Sequence, residues 1–439
     1  QATILAKSNL LCPRSAAALV IQRVTQGQSL NTAFVDISKR LDETQRPLFH
    51  QLTYGVIRWF FALESISQQI LSKPLKTKDA DIQALLLVGI YQLRSLRIPD
   101  HAALSETVNA SKRLNKQWAS GLINACLRNY QRQQKTLEET LAEQTVTEYA
   151  HPAWLIEKYQ ADWPDLWQDI LTANNQQPPM MLRVNSREYS QSEYLELLEK
   201  ATIPGTAIEN CPQGILLEQA CDVFALPGFV EGAVSVQDGA AQQVVDLLDL
   251  QPNQRILDAC SAPGGKTCHI LERFPNNEVI AVDISQERLK QVEENLSRLN
   301  LSANCLAGDA SNPQNWWNGE QFDRILVDAP CTGSGVIRRH PDIKLLRKAE
   351  DIEQLVRQQQ ALLDNLWPLL KPDGLLIYTT CSALKQENEL QIEAFLQRQP
   401  EAMEQLPSRA PARRVSFGYQ LLPGDNHLDG FYYACLRHR

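Results

Sequence analysis

"ILVDAPCTGSG" (residues 325–335) reads as an apolar strand that breaks at Asp328 into a polar loop carrying Pro330, Cys331 and two glycines. "LLIYTTCSA" (375–383) repeats the arrangement, with a second cysteine, Cys381, at the end of a second apolar run. Upstream, "RILDACSA", "EVIAVDIS" and "CLAGDA" are three further short apolar runs that close on polar residues. Helical stretches such as "QERLKQVEENLSRLN" and "EQLVRQQQALLDNLWPLL" lie between strands. Alternation of this kind predicts a mostly parallel sheet with helices on both faces. Ligands bind such sheets at the carboxyl ends of the strands. Those ends are where the acids, glycines and cysteines have collected.

This pattern fills residues 236–439, and two other textures precede it. Residues 1–145 carry apolar side chains at i, i+3 and i+4, as in "LFHQLTYGVIRWFFALESISQQIL" and "DADIQALLLVGIYQLRSL". An all-α bundle is expected there. Residues 146–235 mix helices interrupted at Pro164 with the short strands "PPMMLRVN", "GILLEQ" and "GAVSVQD", which predicts a small α+β subdomain. A chain of 439 residues is long enough for two or three domains.

With 44% hydrophobic and 21% charged residues, the chain can bury real cores and is not low-complexity. Its formal net charge of −8 argues only weakly against nucleic acid, because local basic stretches govern phosphate binding. The ten cysteines are scattered, with no Cys-x-x-Cys pair and no zinc-spaced Cys/His cluster. No metal is expected, and a reducing, cytoplasmic compartment is. No secretory signal is read at the N-terminus, and the apolar run "ALLLVGI" (84–90) is too short to span a bilayer. A soluble protein without membrane association is expected.

"LDACSAPGGKT" (257–267) places glycines at the first strand–helix turn. A phosphate-binding P-loop needs a glycine where Cys260 stands, so that reading fails. Glycines at this turn still let backbone approach a ligand closely. Asp283 ends the next strand, near the offset at which an acid accepts from ribose hydroxyls. Asp309 follows the third strand, where it would orient an adenine. Each acid alone reads equally well as a helix N-cap. Several in register along one edge favour a nucleoside-containing ligand.

Taken in order, "DACSAPGGKT", "VDIS", "GDA", "DAPC" and "TTCS" resemble the S-adenosylmethionine-dependent RNA cytosine-5 methyltransferases. The likeness covers roughly 240–439, and the paired Pro-Cys and Thr-Cys signatures are specific to that family. "LTYGVIRW", "RIPDHAALSETVNASK" and "LINACLR" resemble the helical RNA-binding module of the antitermination factor NusB. The resemblance implies a multidomain chain: a NusB-like bundle, the small α+β subdomain, and a Rossmann-like class I methyltransferase domain. It implies S-adenosylmethionine as cofactor, held by Cys260, Ser261, Ala262, Pro263, Gly264, Gly265, Lys266, Asp283, Asp309 and Asp328. It implies one cytosine of 16S ribosomal RNA as substrate, by resemblance cytosine 967. That RNA would be met naked or in a small-subunit assembly particle, by a monomeric enzyme.

Carbon 5 of cytosine is a poor nucleophile, and a thiolate adding to carbon 6 activates it. Two thiols compete for that task. Cys381 precedes the helical stretch "KQENELQIEAFLQ", whose N-terminus would favour a thiolate. Cys331 precedes the loop Thr332–Gly335, which reads as mobile with no helix start nearby. The residues lean to Cys381, and the resemblance implies the same: Cys381 attacks and Cys331 assists breakdown of the adduct. In the DNA cytosine methyltransferases the Pro-Cys residue attacks instead. Asp328 would touch both the cofactor amine and the base.

For RNA, "VIRRHPDIKLLRK" (336–348) sets Arg338, Arg339, Lys344, Arg347 and Lys348 against one acid. It reads either as a phosphate-binding stretch or as a solvated helix face. A transfer-RNA or DNA cytosine-5 methyltransferase, and a non-catalytic RNA-binding protein, remain alternative readings of the whole.

Overall fold

The computed structural model describes residues 11–439; the first ten, part of the stretch read for a secretory signal, lie outside it. The chain divides into two compact units. One comprises residues up to Gln176 together with Ile337–Ala349, the other Gln177–Val336 with Glu350–Arg439.

The helical unit is built from α1 (Pro13–Thr25), α2 (Leu30–Ser38), α3 (Arg46–Arg58), α4 (Phe60–Ile70), α5 (Ala80–Ser95), α6 (Asp100–Arg113) and α7 (Ala119–Leu141). Two shorter helices follow, α8 (Ala153–Asp162) and α9 (Trp167–Asn174), divided beside Pro164 as the sequence suggests. Helix α5 is buried on nearly every side, with Leu85, Leu86, Val88 and Ile90 at the centre of the bundle. Its one buried amide, Gln92, is satisfied by Arg14 and Thr107. The helical unit therefore runs past residue 145, to Gln176.

Residues 337–349 also belong to this unit, far from their neighbours in sequence. Lys344 anchors them: its ammonium donates to the carbonyls of Arg58 (2.9 Å) and Ala150 (3.0 Å) and to Asn175 Oδ1 (2.5 Å). Asp342 accepts from the Leu30 amide at 2.9 Å. An ammonium has three donors, and here all three are used. Burial, then the nearby Arg58, push the lysine well below its usual range.

In the second unit a four-stranded antiparallel sheet comes first: β1 (Met181–Val184), β2 (Gly205–Ala207), β3 (Gly214–Leu217) and β4 (Val234–Val236), in the order β2-β3-β1-β4. Helix α10 (Gln191–Lys200) covers it, started by a capping box between Ser190 and Glu193. The larger sheet contains β5 (Arg255–Ala259), β6 (Glu278–Asp283), β7 (Asn304–Ala307), β8 (Phe322–Asp328) and β9 (Leu370–Thr380), all parallel. Its order is β7-β6-β5-β8-β9. The chain order reverses between β5 and β8, so a crevice opens at their carboxyl ends. Helices α11 (Gly265–Arg273), α12 (Gln286–Arg298), α13 (Ala349–Leu366) and α14 (Glu389–Arg398) flank this sheet.

Beyond β9 the expected parallel pattern stops. Strand β13 (Phe431–His438) pairs antiparallel with β9 and, on its other side, with β12 (Tyr419–Leu421). Its "FYYACL" run is apolar on both faces because both are covered: Tyr433 and Cys435 enter one core, Tyr432 and Ala434 the other.

The small sheet is tied to the large one by a buried ion pair. Arg183 on β1 donates through Nε and Nη2 to both carboxylate oxygens of Glu272 on α11 (2.9 and 2.8 Å), and each side chain is 1% exposed. Nη1 continues to Gln237 Oε1 and the Gly265 carbonyl. Removing one member strands the other's charge. Arg183→Leu is expected to lower stability by about 3–5 kcal/mol, read as a lower urea midpoint at unchanged slope.

Candidate active site

The first strand–helix turn is shaped by backbone. Cys260 and Gly264 both take positive φ (62° and 96°), and a Cβ on Gly264 would meet Val292 Cα at 3.0 Å. Only glycine allows α11 to start this close to α12. Asp283, 2% exposed, holds the turn from the next strand: it accepts from the Ala262 amide at 3.1 Å and from the Ser285 amide at 3.0 Å. A cavity of about 280 Å³ lies beside it, lined among others by Cys260, Asp283, Ile284, Arg288, Asp309 and Pro330. Of the cofactor residues expected from sequence, Cys260, Asp283 and Asp309 line this cavity. Ile284 and Arg288 are additions.

Deeper in the turn, Asp258 is wholly buried. One oxygen accepts from Thr267 Oγ1 at 2.5 Å; the other has no partner, nor has the buried hydroxyl of Ser261. Burial first, with help from the charges of Asp328 and Asp283 and against Thr267 and Lys266, raises the Asp258 carboxyl to about 7.

Lys266, on the first turn of α11, donates to Asp328 Oδ2 at 2.6 Å, while Thr379 donates to the other oxygen at 3.2 Å. Burial works to lower the Lys266 ammonium. The charges of Asp328, Asp258 and Cys381 outweigh it and hold the group above its usual range. Lys266 also stands 5.3 Å from the centre of the Phe431 ring.

Cys331 and Cys381 are both free, and their sulfurs are 3.4 Å apart. Register explains the approach. Asp328 and Thr379 are partners across β8 and β9, and the cysteines follow these two residues by three and two positions. The hydrogen bond to Cys381, then burial and the charges of Cys381 and Glu387, lift the Cys331 thiol well above its ordinary range.

The Thr332–Gly335 loop, expected to be mobile, is instead pinned. Glu387 is 0% exposed and collects the Thr332 amide (2.8 Å), the Thr332 and Ser382 hydroxyls (2.6 and 2.5 Å) and Gln359 Nε2 (3.1 Å). Burial still raises its carboxyl. Ser334 Oγ lies 3.0 Å from Ser382 Oγ and accepts from the Ala383 amide at 3.0 Å. The Gly335 amide donates to the Cys381 carbonyl at 2.9 Å, and a Cβ on Gly335 would lie 2.3 Å from the Gly430 carbonyl oxygen. The two cysteine loops form one buried polar cluster. Glu387 was missed because it is one of three glutamates in "KQENELQIEAF", which carries the pattern of an exposed helix face.

Just before α14, the Asn388 side chain bonds Thr380 Oγ1 and the Ser382 carbonyl, tying both neighbours of Cys381 to the start of that helix.

The basic stretch is also reassigned in part. Lys344 and Arg338 are each 2% exposed, and Lys344 spends all its donors inside the helical unit, so neither is open to phosphate. Arg339 and Arg347 are half-buried and Lys348 is exposed. Among the described residues no His, Cys, Asp or Glu group has the arrangement of a metal site, and no helix is long and apolar enough to cross a membrane.

A sheet of this order with its site at the carboxyl edge defines a methyltransferase-type α/β domain. Family models agree along the chain: "16S rRNA methyltransferase RsmB/F" matches residues 245–437, an RsmF/B-like ferredoxin-like domain 151–224, and the NusB family 12–132. The Ribosomal RNA small subunit methyltransferase B of Vibrio cholerae is 49% identical over 422 residues, covering 96% of both chains. The chain belongs to this methyltransferase B family. Two solved structures share the fold: that of PH0851 (TM-score 0.81, 24% identity, 97% of this chain and 99% of that one) and that of NSun6 from Pyrococcus horikoshii with SFG (TM-score 0.58, 21% identity, 65% and 98%).

The raised Asp258 sets a pH dependence. The folded state keeps its proton up to about 7, the unfolded state loses it near 4, so this group's contribution to stability is full below about 4 and fades as pH rises to about 7. Asp258→Asn is expected to flatten that decline, measured as urea midpoints across the interval.

Proposed function

We propose that this protein transfers a methyl group from S-adenosylmethionine to carbon 5 of a cytosine in small-subunit ribosomal RNA, through a covalent bond from Cys381 to carbon 6. The contact between two free thiols at 3.4 Å, at the ends of neighbouring strands, carries the reading. The substrate class rests on the relative's name, and cytosine 967 on the family resemblance.

The residues fit the cofactor. The unpartnered, buried Asp258 Oδ1 and Ser261 Oγ suit a ligand that brings its own donors, such as an amino-acid ammonium. Asp283 and Asp309, on the cavity wall, suit ribose and adenine. Ala262, Pro263, Gly264 and Gly265 shape the turn, and Asp328 stands at its reacting end. Bound there, S-adenosylmethionine supplies an electrophilic methyl group.

The remaining chemistry falls to side chains. Cys381, as the thiolate, gives an electron pair to carbon 6, and the ring's 5,6 pair moves onto carbon 5. Asp328 holds the ring through its exocyclic amine. Carbon 5 takes the methyl group. Removal of the carbon-5 proton then re-forms the 5,6 double bond, and the carbon–sulfur pair returns to Cys381.

Cys331 is the base placed for that last step. The largest influence keeping it protonated is the hydrogen bond to Cys381. As the thiolate, 3.4 Å from the sulfur that leaves carbon 6, Cys331 takes the carbon-5 proton and becomes the thiol. Of the five basic residues expected to meet RNA, Arg339, Arg347 and Lys348 are the ones not fully buried. The target base must leave any stack to reach Cys381.

Labelled methyl groups are expected to enter small-subunit ribosomal RNA; no transfer to any cellular RNA would refute the reading. Cys381→Ala is expected to abolish both transfer and covalent RNA attachment. Cys331→Ala is expected to accumulate a denaturant-resistant protein–RNA adduct with turnover down by roughly a hundredfold or more, in the range of a lost general base. The reverse pattern on denaturing gels would exchange the two roles.

A further inference from the structure

We propose that Cys331 and Cys381 are also a reversible oxidation site, closing to a disulfide when the protein meets a hydroperoxide. The sulfurs lie 3.4 Å apart with no bond between them, and a disulfide needs about 2.0 Å. Both side chains are partly exposed, so a small oxidant has access. The backbone around them is already fixed at the right approach. β8 and β9 are hydrogen-bonded neighbours, the Ala329 amide donates to the Thr379 carbonyl at 2.9 Å, and the Gly335 amide donates to the Cys381 carbonyl at 2.9 Å. Glu387 clamps the residue after each cysteine. Closing the bond brings the two sulfurs about 1.4 Å nearer, from 3.4 Å to about 2.0 Å.

The chemistry balances. The Cys381 sulfur, as the thiolate, attacks one oxygen of the peroxide; the O–O bond breaks, hydroxide or alkoxide leaves, and Cys381 becomes a sulfenic acid. The Cys331 sulfur attacks that sulfur. An S–S bond forms, the S–O bond breaks, and the departing hydroxide takes the Cys331 proton as water. Two electrons pass from the thiol pair to the peroxide. A sulfenic acid with a resolving thiol in contact closes to a disulfide before it oxidises irreversibly.

Four of the other eight thiols are shielded. Cys126, Cys211, Cys268 and Cys435 are buried in cores, and burial pushes Cys211, Cys268 and Cys435 up to about 12. Thiols held protonated in apolar surroundings are poor targets for peroxide.

The bond follows from the geometry alone; its effect on activity rests on the reaction proposed above. The purified full-length protein is treated with hydrogen peroxide, alkylated, and mapped by mass spectrometry without reduction, with methyl transfer measured in parallel. The expected result is a Cys331–Cys381 cross-linked peptide two hydrogens lighter than the separate peptides. Methyl transfer should fall at least about tenfold and return on adding dithiothreitol. Cys331→Ser should form no cross-link and should instead stop at a Cys381 sulfenic acid that dimedone captures. Dimedone capture at Cys381 of the unaltered protein, without the cross-link, would overturn the proposal, as would oxidation confined to other cysteines. A cross-link that leaves methyl transfer unchanged would uphold the disulfide and refute the reaction.

Discussion

Parallel pairing of β8 with β9, with Asp328 set opposite Thr379, is the constraint from which the rest of the site follows. Strands in such a pair lie just under 5 Å apart, so loops leaving equivalent positions emerge side by side. That alone brings Cys331 and Cys381 into contact. It also lets one carboxylate, Asp328, reach the Thr379 hydroxyl on its neighbour and Lys266 on α11. A shift of register by one residue would take Asp328 out of line with Thr379 and offset the two loops.

The site keeps two environments apart. Around the sulfurs, Lys266 supplies the positive charge and Glu387 supplies acceptors, buried and met by three donors from the two loops and a fourth from Gln359 on α13. Under the first strand–helix turn the balance is opposite: Asp258 and Ser261 keep unsatisfied polar atoms in a buried place. An unmade hydrogen bond there costs about 1–3 kcal/mol, a cost that a ligand bringing donors would remove. Saturation holds the reacting sulfurs still, and deficiency favours a guest.

Much of this was legible in the sequence because strand ends announce themselves. Asp258, Asp283 and Asp328 each close an apolar run, and glycines follow the first of them. The two cysteine loops, the helical bundle and the break at Pro164 also show as composition and period. What stayed hidden depends on contacts distant in sequence. Lys344 sits in a basic stretch that looks solvated, yet its acceptors come from Arg58, Ala150 and Asn175. Glu387 looks like a surface acid until Thr332 and Gln359 arrive from elsewhere in the chain. The mobility assigned to Thr332–Gly335 followed from its glycines, and the clamp that removes it is read only in three dimensions.

Division of labour between the sulfurs is the central claim: Cys381 the nucleophile, Cys331 the base for release. Substoichiometric iodoacetamide at neutral pH, followed by peptide mapping, tests it without RNA or cofactor. Alkylation of Cys381 ahead of Cys331 is the predicted result. Labelling of Cys331 first, with Cys381 left unmodified, would contradict the account.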